Sequence, residues 1–284
     1  MILEPVPFTP EHPLLKKHIS YFYFLKTDND DFEAKYYAFP HTDTVLNIHQ
    51  KTNFEIRDYY TRVYPDAKVN YKACVQGIRQ YPLLAHLQGK IDKVTILFKP
   101  MGINQFGVAD FGRRYPSPSM IFSAWDSLPF YREFLDAFYA NTDNAKRAGI
   151  LENFLLRVFK PTDDAELMAN AMDLLMRFEE NTTIEQISAQ LKVNVRGLNR
   201  TFHKHLGVSP VTFRKVARFR HSLESKIYQR EIQRLTDIAY QSNYYDQAYF
   251  NKVYTALTGT SPQRFFNKIN SLADDRLIFE FITK

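Results

Sequence analysis

Two stretches of this 284-residue sequence repeat one pattern at a fixed offset. The first copy is Leu198-Asn199-Arg200-Thr201-Phe202, followed after four intervening residues by Gly207-Val208-Ser209-Pro210-Val211-Thr212-Phe213. The second copy is Phe250-Asn251-Lys252-Val253-Tyr254, followed in the same way by Gly259-Thr260-Ser261-Pro262-Gln263-Arg264-Phe265. The offset is 52 residues throughout, and it is 51 between Ile187-Ser188 and Ile238-Ala239 upstream. Self-similarity of this kind predicts two supersecondary units of the same type.

Each copy has the order of elements that is typical of a helix-turn-helix unit. A short helix leads to a tight turn that ends in a capping residue, Asn194 or Asp246, and a longer helix then runs to a Gly-x-Ser-Pro exit. In such units the second helix enters the major groove of DNA. The helix predicted between them, Pro210–Tyr228, is about 27 Å long, which allows the recognition helices to lie about 34 Å apart, one turn of B-DNA. The alternative is a helical bundle with a duplicated hairpin and no nucleic-acid partner.

Positive charge is concentrated in the same region. The chain has a net charge of +6, but residues 182–268 contain 14 basic and five acidic residues, a net +9, which leaves −3 for the rest. A concentrated positive surface attracts the DNA backbone, although a solvated helical surface has the same composition. The helix-turn-helix spacing favours DNA. The basic residues are Lys192, Arg196, Arg200, Lys204, Arg214, Lys215, Arg218, Arg220, Lys226, Arg230, Arg234, Lys252, Arg264 and Lys268.

At these residues the chain, from about Asn181 to Lys268, resembles the AraC/XylS family of bacterial transcription regulators. Asn243 stands where the family usually has glycine, Ser188 where it has alanine, and Asn194 where it has serine. Asparagine tolerates a left-handed turn and caps helices well, and we expect the Ser188 hydroxyl to bond back to its own helix. The matching segments are Leu235-Thr236-Asp237-Ile238-Ala239-Tyr240, Tyr244-Tyr245-Asp246-Gln247-Ala248-Tyr249-Phe250, Tyr254, Gly259-Thr260-Ser261-Pro262 and Phe265.

The resemblance implies that the exposed face of each longer helix contacts DNA. Arginine pairs with guanine and asparagine with adenine, so these residue types suit direct readout of bases. Arg196 and Arg200 also fit a solvated i, i+4 pair, and Tyr249 also fits a ring packed under the turn. The opposite faces are predicted to be core: Leu198, Phe202, Phe250 and Tyr254. The implied DNA contacts are Arg196, Asn199 and Arg200, with His203 and Lys204 facing the backbone, and in the second unit Gln247, Tyr249, Asn251 and Lys252.

The first half has a different pattern of short, aromatic and β-branched runs separated by turn residues, which predicts an antiparallel sheet or barrel. Helical spacing of apolar residues then begins at Leu128, after the capping residues Asp126 and Ser127, and returns at Ile150–Val158. The polar segment Lys160-Pro161-Thr162-Asp163-Asp164 predicts a domain boundary. The predicted strands are Tyr21–Lys26, Lys35–Phe39, Thr44–Ile48, Phe54–Tyr60, Val69–Gly77, Leu83–Leu87 and Lys93–Phe98.

The first half is also similar to the cupin-like sensor domain of some regulators in this family. The similarity rests on Leu14–Tyr23, Phe39-Pro40-His41, Val75-Gln76-Gly77 and Phe98-Lys99-Pro100-Met101-Gly102. Relatives usually carry a Pro-Asp-Gly turn where Pro40-His41-Thr42 stands here. Small aromatic-lined barrels commonly enclose a ligand, and a fully packed interior is the alternative.

The predicted fold is therefore a two-domain α+β protein. Residues 1–160 form a cupin-like, β-rich effector or dimerisation domain with helices, and residues 165–284 form an all-α domain with two helix-turn-helix units joined by a long helix. The predicted helices of the second domain are Glu166–Glu179, Thr183–Gln190, Val195–His205, Pro210–Tyr228, Leu235–Tyr240, Gln247–Thr258 and Pro262–Ile269.

Other functional classes find little support in the sequence. A lone Cys74 forms no internal disulfide, and neither a leader nor an apolar run of about 18 residues is present, so we expect a cytoplasmic protein without membrane contact. His41 and His49 lack the His-x-His spacing of a cupin metal site. We therefore expect no catalytic residues, no metal and no cofactor.

The sequence thus predicts a sequence-specific transcription regulator. Its implied partners are double-stranded promoter DNA, a small-molecule effector, RNA polymerase and a second copy in a homodimer, with the helices at Leu128–Tyr139 and Ile150–Val158 as candidate dimer surfaces. One alternative is a first half that is only a ligand-free oligomerisation or protein-partner module. Another is a cupin-like enzyme with a helical accessory domain, which a metal among His41, His49 and His86 would favour.

Overall fold

The structure is a computed structural model that describes residues 6–228, 238–240, 242–272 and 277–282. Most of its strands lie in the first 122 residues, and the last two lie at the end of the chain. The strands are β1 (Pro7–Phe8), β2 (Ile19–Thr27), β3 (Glu33–Ala38), β4 (Thr44–Gln50), β5 (Thr52–Arg57), β6 (Tyr60–Pro65), β7 (Tyr71–Gln76), β8 (Leu83–Gln88), β9 (Ile91–Phe98), β10 (Ser119–Phe122), β11 (Asn270–Leu272) and β12 (Leu277–Phe281).

The helices follow the strands of the first half and fill most of the second. They are α1 (Pro13–His18), α2 (Phe111–Arg114), α3 (Tyr131–Ala140), α4 (Asn144–Val158), α5 (Ala165–Met176), α6 (Ile184–Gln190), α7 (Val195–Leu206), α8 (Pro210–Tyr228), α9 (Gln247–Thr258) and α10 (Pro262–Lys268). Residues 238–240 are also helical, whereas 235–237 of the predicted helix Leu235–Tyr240 lie outside the described residues. The α+β class and the division into a β-rich first half and a helical second half are confirmed.

Two six-stranded sheets build the β-rich half. Their strand orders are β1-β2-β9-β4-β7-β10 and β11-β12-β3-β8-β6-β5, and every pair is antiparallel except β6 with β8. In the first sheet Val45 pairs with Leu97, Asn47 with Thr95 and His49 with Lys93. Because side chains alternate along a strand, these pairs form one row on the face that lines the space between the sheets.

The other face of the first sheet packs against α3 and α4. Leu46, Ile48 and Ile96 are buried there in one cluster with helical aromatic side chains. The rings of Phe134 on α3 and Phe154 on α4 stack with centroids 4.1 Å apart. This packing accounts for the apolar stripes that made the two helices candidate dimer surfaces, and it follows from the burial of an amphipathic face.

The predicted strand Phe54–Tyr60 is confirmed as far as Arg57, where β5 ends, and is wrong beyond it. The chain turns after Arg57, with Tyr59 in the left-handed region at φ 54°, and a separate strand, β6, begins at Tyr60. A tyrosine at positive φ gives no turn signal, because glycine and asparagine are the residues that usually take this conformation. Other elements absent from the prediction are α1, α2, β1, β6, β10, β11 and β12.

The end of the chain pairs with the β-rich half. β12 runs antiparallel to β3, with Phe281 opposite Tyr36, and their rings lie 5.9 Å apart. The sequence-based boundary placed these residues in the helical domain, whereas their ladder hydrogen bonds belong to the second sheet. The division 1–160 and 165–284 therefore stays a prediction, with β12 as a departure from it.

Candidate nucleic-acid interface

The first helix-turn-helix unit consists of α6 and α7. Thr183 and Gln186 form a reciprocal capping box at the start of α6, and the Asn194 side chain accepts a 2.6 Å hydrogen bond from the Gly197 amide at the start of α7. α7 ends at Gly207, whose φ of 73° lets the chain leave the helix in a left-handed turn. Capping at both ends therefore fixes the length of the first recognition helix.

The second unit repeats this construction around α9. The Asp246 carboxylate accepts a 2.6 Å hydrogen bond from the Tyr249 amide, and α9 ends at Gly259 with φ 77°. Asn243 lies in the left-handed region at φ 50°, which agrees with the expectation for the family's usual glycine position. The structural equivalence of the caps confirms that the sequence repeat is a repeat of the fold.

The predicted core positions are confirmed, because Leu198, Phe202, Phe250 and Tyr254 are all fully buried. The Tyr254 hydroxyl also shares a 2.7 Å hydrogen bond with Ser222 of α8. The Ser188 hydroxyl is buried but has no hydrogen-bond partner among the described residues, so the expectation that it bonds back to its helix is not met.

The implied contact residues of the first unit fall into two groups. Arg196, Arg200 and His203 are exposed on one side of α7. Asn199 is half-buried, and its side-chain amide donates to the Val195 carbonyl 2.9 Å away. Lys204 is half-buried too, and its Nζ lies 2.7 Å from the Asp164 carboxylate, so that in this structure the lysine is paired within the protein.

In the second unit the four implied contact residues Gln247, Tyr249, Asn251 and Lys252 are all exposed on α9. The Tyr249 ring lies 6.2 Å from the ring of Tyr244, which is buried under the turn. Tyr245, which the sequence reasoning did not single out, is 93% exposed immediately before the capping residue Asp246. The position of Tyr245 directly before the capping residue is the sequence feature that could have identified it as a contact residue.

Part of the basic charge does not face solvent. The Arg214 guanidinium donates to the carbonyls of Leu175 and Thr182, at 3.2 and 2.6 Å. Arg218 lies over the Phe178 ring at 5.3 Å, and Arg220 is buried. The net charge of residues 182–268 thus overstates the positive surface that a DNA backbone meets.

The end of α7 is fixed to the β-rich half through a contact that we call the junction, formed by Asn104, Ala109, Gly112, Asp164, His205 and Gly207. The His205 ring is fully buried; its Nε2 lies 2.7 Å from the Asp164 carboxylate and its Nδ1 lies 2.5 Å from the Ala109 carbonyl. The hydrogen bonds from Lys204 and His205 hold the pKa of Asp164 below its usual value. The junction therefore ties the first recognition helix to the first half of the chain.

A glycine contact closes the junction. A Cβ built on Gly112 in α2 would clash with the amide nitrogen of Gly207 and the carbonyl oxygen of His203, and it would lie 2.8 Å from the Gly207 Cα. Asn104 adds a 3.2 Å hydrogen bond from its side-chain amide to the His205 carbonyl. Only a residue without a side chain fits between α2 and α7 at this point.

A second contact region between the two halves surrounds a cavity of about 80 Å³ between the sheets. Its walls include Tyr21, Tyr23 and Leu97, and its charged groups are Arg79 from the first half and Arg220 from α8. The Nε atoms of both arginines are buried without a hydrogen-bond partner among the described residues. Burial and the charge of Arg220 lower the pKa of Arg79 to about 10.

A smaller cavity of about 30 Å³ continues the first one toward Lys93 and His49. Lys93 is buried and donates to the Asn47 side chain at 3.1 Å, and burial lowers its pKa to about 8. His49 and Cys74 also line this end. The interior thus changes from aromatic and arginine-lined at the α8 side to polar at the other end.

The three histidines of the enzyme alternative have separate surroundings. His41 accepts a hydrogen bond from the Asp43 amide, His86 lies 2.9 Å from Glu33, and His49 packs edge-on against Phe54. Within the described ranges, no three His, Cys, Asp or Glu side chains are grouped so as to hold a metal ion. In those ranges no helix has the length and apolar character needed to span a bilayer.

Two capped recognition helices on one helical core define a DNA-binding domain of the tandem helix-turn-helix class. Residues 187–268 match the family model described as a helix-turn-helix domain. This region is an AraC-type helix-turn-helix domain, which confirms the resemblance over the matched residues. These residues therefore give the chain a DNA-binding domain of the kind that transcription regulators carry.

Solved structures of ToxT from Vibrio cholerae are similar to this chain at low identity. One covers 87% of this chain and 97% of its own, at 12% identity and a TM-score of 0.47, and another, from strain O395, covers 87% and 96% at 14% identity and a TM-score of 0.46. A third, bound to an unsaturated fatty acid, covers 93% and 96% at 13% identity and a TM-score of 0.43. No curated protein sequence matches the chain.

Proposed function

We propose that this chain regulates transcription by reading an asymmetric promoter site with α7 and α9 in successive major grooves. The observation that carries the proposal is the pair of equally capped helices, each presenting exposed polar residues: Arg196 and Arg200 on α7, Gln247 and Asn251 on α9. These residue types suit direct readout of base edges. α8, with 19 residues and a length of about 27 Å, separates the two units by a distance compatible with one turn of B-DNA.

Selection of binding sites from a random duplex library tests this proposal. We expect an enriched motif with two unlike halves about one helical turn apart, because the two recognition helices differ in sequence. The selection is run at near-physiological salt, since phosphate contacts alone retain DNA at low salt. Binding that is independent of sequence under these conditions contradicts the proposal.

We further propose that the first half controls DNA binding through an effector held in the cavity between the sheets. Buried guanidinium groups with unpartnered Nε atoms favour a negatively charged ligand, and the aromatic walls favour an apolar body. The cavity volume of about 80 Å³ is near half of the roughly 150 Å³ that holds benzene in an engineered cavity, so the ligand class is a small organic anion. A ligand bridging Arg79 and Arg220 would couple the first half directly to α8.

Thermal unfolding in a series of small carboxylates and size-matched alcohols tests this part. We expect stabilisation by a carboxylate but not by its alcohol, and loss of that stabilisation in Arg220→Gln. If no carboxylate stabilises the protein more than its alcohol, the ligand-free module becomes the better explanation of the first half.

Self-association is the remaining element of the proposal. Since the apolar stripes of α3 and α4 pack against the first sheet, a homodimer would use the groove that stays open between these helices, which is lined by Phe130, Ala137, Ile150 and Arg157. Light scattering on the wild type and on Ile150→Asp distinguishes a dimer through this groove from a monomer. Contact with RNA polymerase and a cytoplasmic location stay predictions of the sequence.

A further inference from the structure

The second helix-turn-helix unit carries three exposed tyrosine rings. Tyr245 is 93% exposed, Tyr249 is 45% exposed, and Tyr240 in the preceding helical segment is 84% exposed. Among the described residues, Tyr245 and Tyr240 are the most exposed of the large hydrophobic side chains. Rings that are exposed on one unit are available to a partner that covers them.

The two recognition helices also differ in charge. Residues 195–206 of the first unit contain Arg196, Arg200 and Lys204 and no acidic residue, whereas residues 242–258 of the second contain one lysine and one aspartate. Phosphate attraction therefore contributes less at the second unit. Its exposed face offers rings and amide side chains instead.

The position of Tyr245 decides which part of DNA it meets. It directly precedes Asp246, the N-cap of α9, and Tyr249 follows one turn later with its amide bonded to the Asp246 carboxylate. In helix-turn-helix units the N-terminal residues of the recognition helix contact base edges, while the first helix crosses the backbone. Tyr245 and Tyr249 are thus placed for bases, and Tyr240 for the backbone.

We propose that Tyr245 and Tyr249 read the C5-methyl groups of thymines, so that the half-site under α9 is rich in thymine. The thymine methyl is the apolar group that the major groove presents, and an aromatic ring covers it without needing charge. The half-site under α7, which Arg196 and Arg200 face, contains guanine instead. This inference rests on the proposed reading of DNA by both helices.

The test replaces single thymines by deoxyuridine in the selected site, because this removes one methyl and leaves base pairing intact. In the half under α9 we expect a loss of about fourfold in affinity at a contacted position, the equivalent of about 0.8 kcal/mol for one buried methyl. Tyr245→Ala should bind the thymine site about fourfold more weakly and show no further loss with deoxyuridine at the thymine under Tyr245, while the thymine under Tyr249 keeps its methyl dependence. Tyr245→Phe, which keeps the ring, should retain the methyl dependence.

Tyr240→Ala is the matched control, since it removes another exposed ring from the same unit. We expect it to keep the full dependence on the methyl groups. Equal affinity for thymine and deoxyuridine in the wild type, a methyl dependence that Tyr245→Ala leaves unchanged at every thymine of the half-site, or a selected half-site without thymine would overturn the inference. Unchanged DNA binding by Tyr245→Ala would do so as well, and would assign the tyrosines to a protein partner.

Failure of the inference is distinguishable from failure of the proposed function. If a two-part motif is enriched and Arg200→Ala weakens its binding, the proposed function stands, and only the deoxyuridine result decides on the tyrosines. If no motif is enriched, the proposed function fails and the inference fails with it.

Discussion

The substitution Gly112→Ala should weaken the packing contact between α2 in the first half and α7. Glycine-to-alanine is a small change, but at this position the new Cβ would clash with backbone atoms of His203 and Gly207. Backbone atoms cannot rotate away as a flexible side chain does. Since ordinary contact begins at 3.4 Å and the Gly207 Cα would lie at 2.8 Å, this atom alone requires α2 and α7 to separate by about 0.6 Å. The Gly207 nitrogen and the His203 oxygen lie closer and require a larger separation.

The energetic consequence follows from the bonds that cross the junction. Separation of α2 from α7 lengthens two hydrogen bonds. One joins the Asn104 side-chain amide to the His205 carbonyl at 3.2 Å, and the other joins the His205 Nδ1 to the Ala109 carbonyl at 2.5 Å. Each net hydrogen bond contributes about 0.5–1.5 kcal/mol, and overpacking adds about 1–3 kcal/mol. With both hydrogen bonds affected, these contributions add up to about 2–6 kcal/mol, the amount by which we expect Gly112→Ala to lower the free energy of unfolding.

Gly149→Ala is the matched control. Gly149 lies in the interior of α4, and no atom lies within 4 Å of a Cβ built there. Alanine is favoured over glycine inside a helix by about 0.8–1.0 kcal/mol, so this variant should be slightly more stable than the wild type.

Urea unfolding of the three proteins provides the measurement. The single tryptophan, Trp125, is buried and donates a 2.8 Å hydrogen bond to the Phe106 carbonyl, close to the loop that carries α2, so its fluorescence reports the first half. Far-ultraviolet circular dichroism reports both halves. If Gly112→Ala and Gly149→Ala unfold at the same urea concentration, the close contact between α2 and α7 is refuted.

Three further predictions concern single side chains. Arg200→Ala should weaken specific DNA binding by about 1–3 kcal/mol and relax base preference at one position, and an unchanged site in a repeated selection would count against the assignment of α7. Asn243→Gly should be tolerated in thermal unfolding, whereas Asn243→Ala should cost about 1 kcal/mol because φ is 50° there; equal melting temperatures would contradict this. Burial raises the pKa of Asp43 from 3.8 to about 6, so the stability that its protonated form contributes is lost as the pH rises from about 4 through 6. Asp43→Asn should remove this loss, and parallel pH profiles of the free energy of unfolding in the two proteins would contradict the prediction.

The sequence predicts the helical half well because its signals are local. Caps such as Asn194 and Asp246 fix helix starts through hydrogen bonds to amides within three residues, and left-handed glycines end the same helices. The predicted ranges Val195–His205 and Gln247–Thr258 therefore agree with the observed helices to within one residue.

The parts that could not be predicted depend on contacts between distant residues. Nothing near Asp164 in sequence shows that it pairs with Lys204, 40 residues away, or that Gly112 touches Gly207. The pairing of β12 with β3 joins segments more than 200 residues apart. The burial of Arg220 could not be predicted either, because nothing in the sequence distinguishes it from the exposed arginines of a basic helix.

The position of α8 indicates how effector binding in the cavity would change DNA binding in the proposed mechanism. Neighbouring residues of this helix serve different parts of the molecule: Phe219 packs on Tyr254 of the second unit, with ring centroids 5.0 Å apart, while Arg220 lines the cavity. Nearly two turns earlier, Arg214 donates a hydrogen bond to the Thr182 carbonyl, just before the first unit. Because a helix moves as a rigid element, a ligand that displaces Arg220 also displaces the supports of both recognition helices. Because the junction holds α7 on the first half while α9 packs on α8, such a displacement would change the spacing of α7 and α9 and not the chemistry of either.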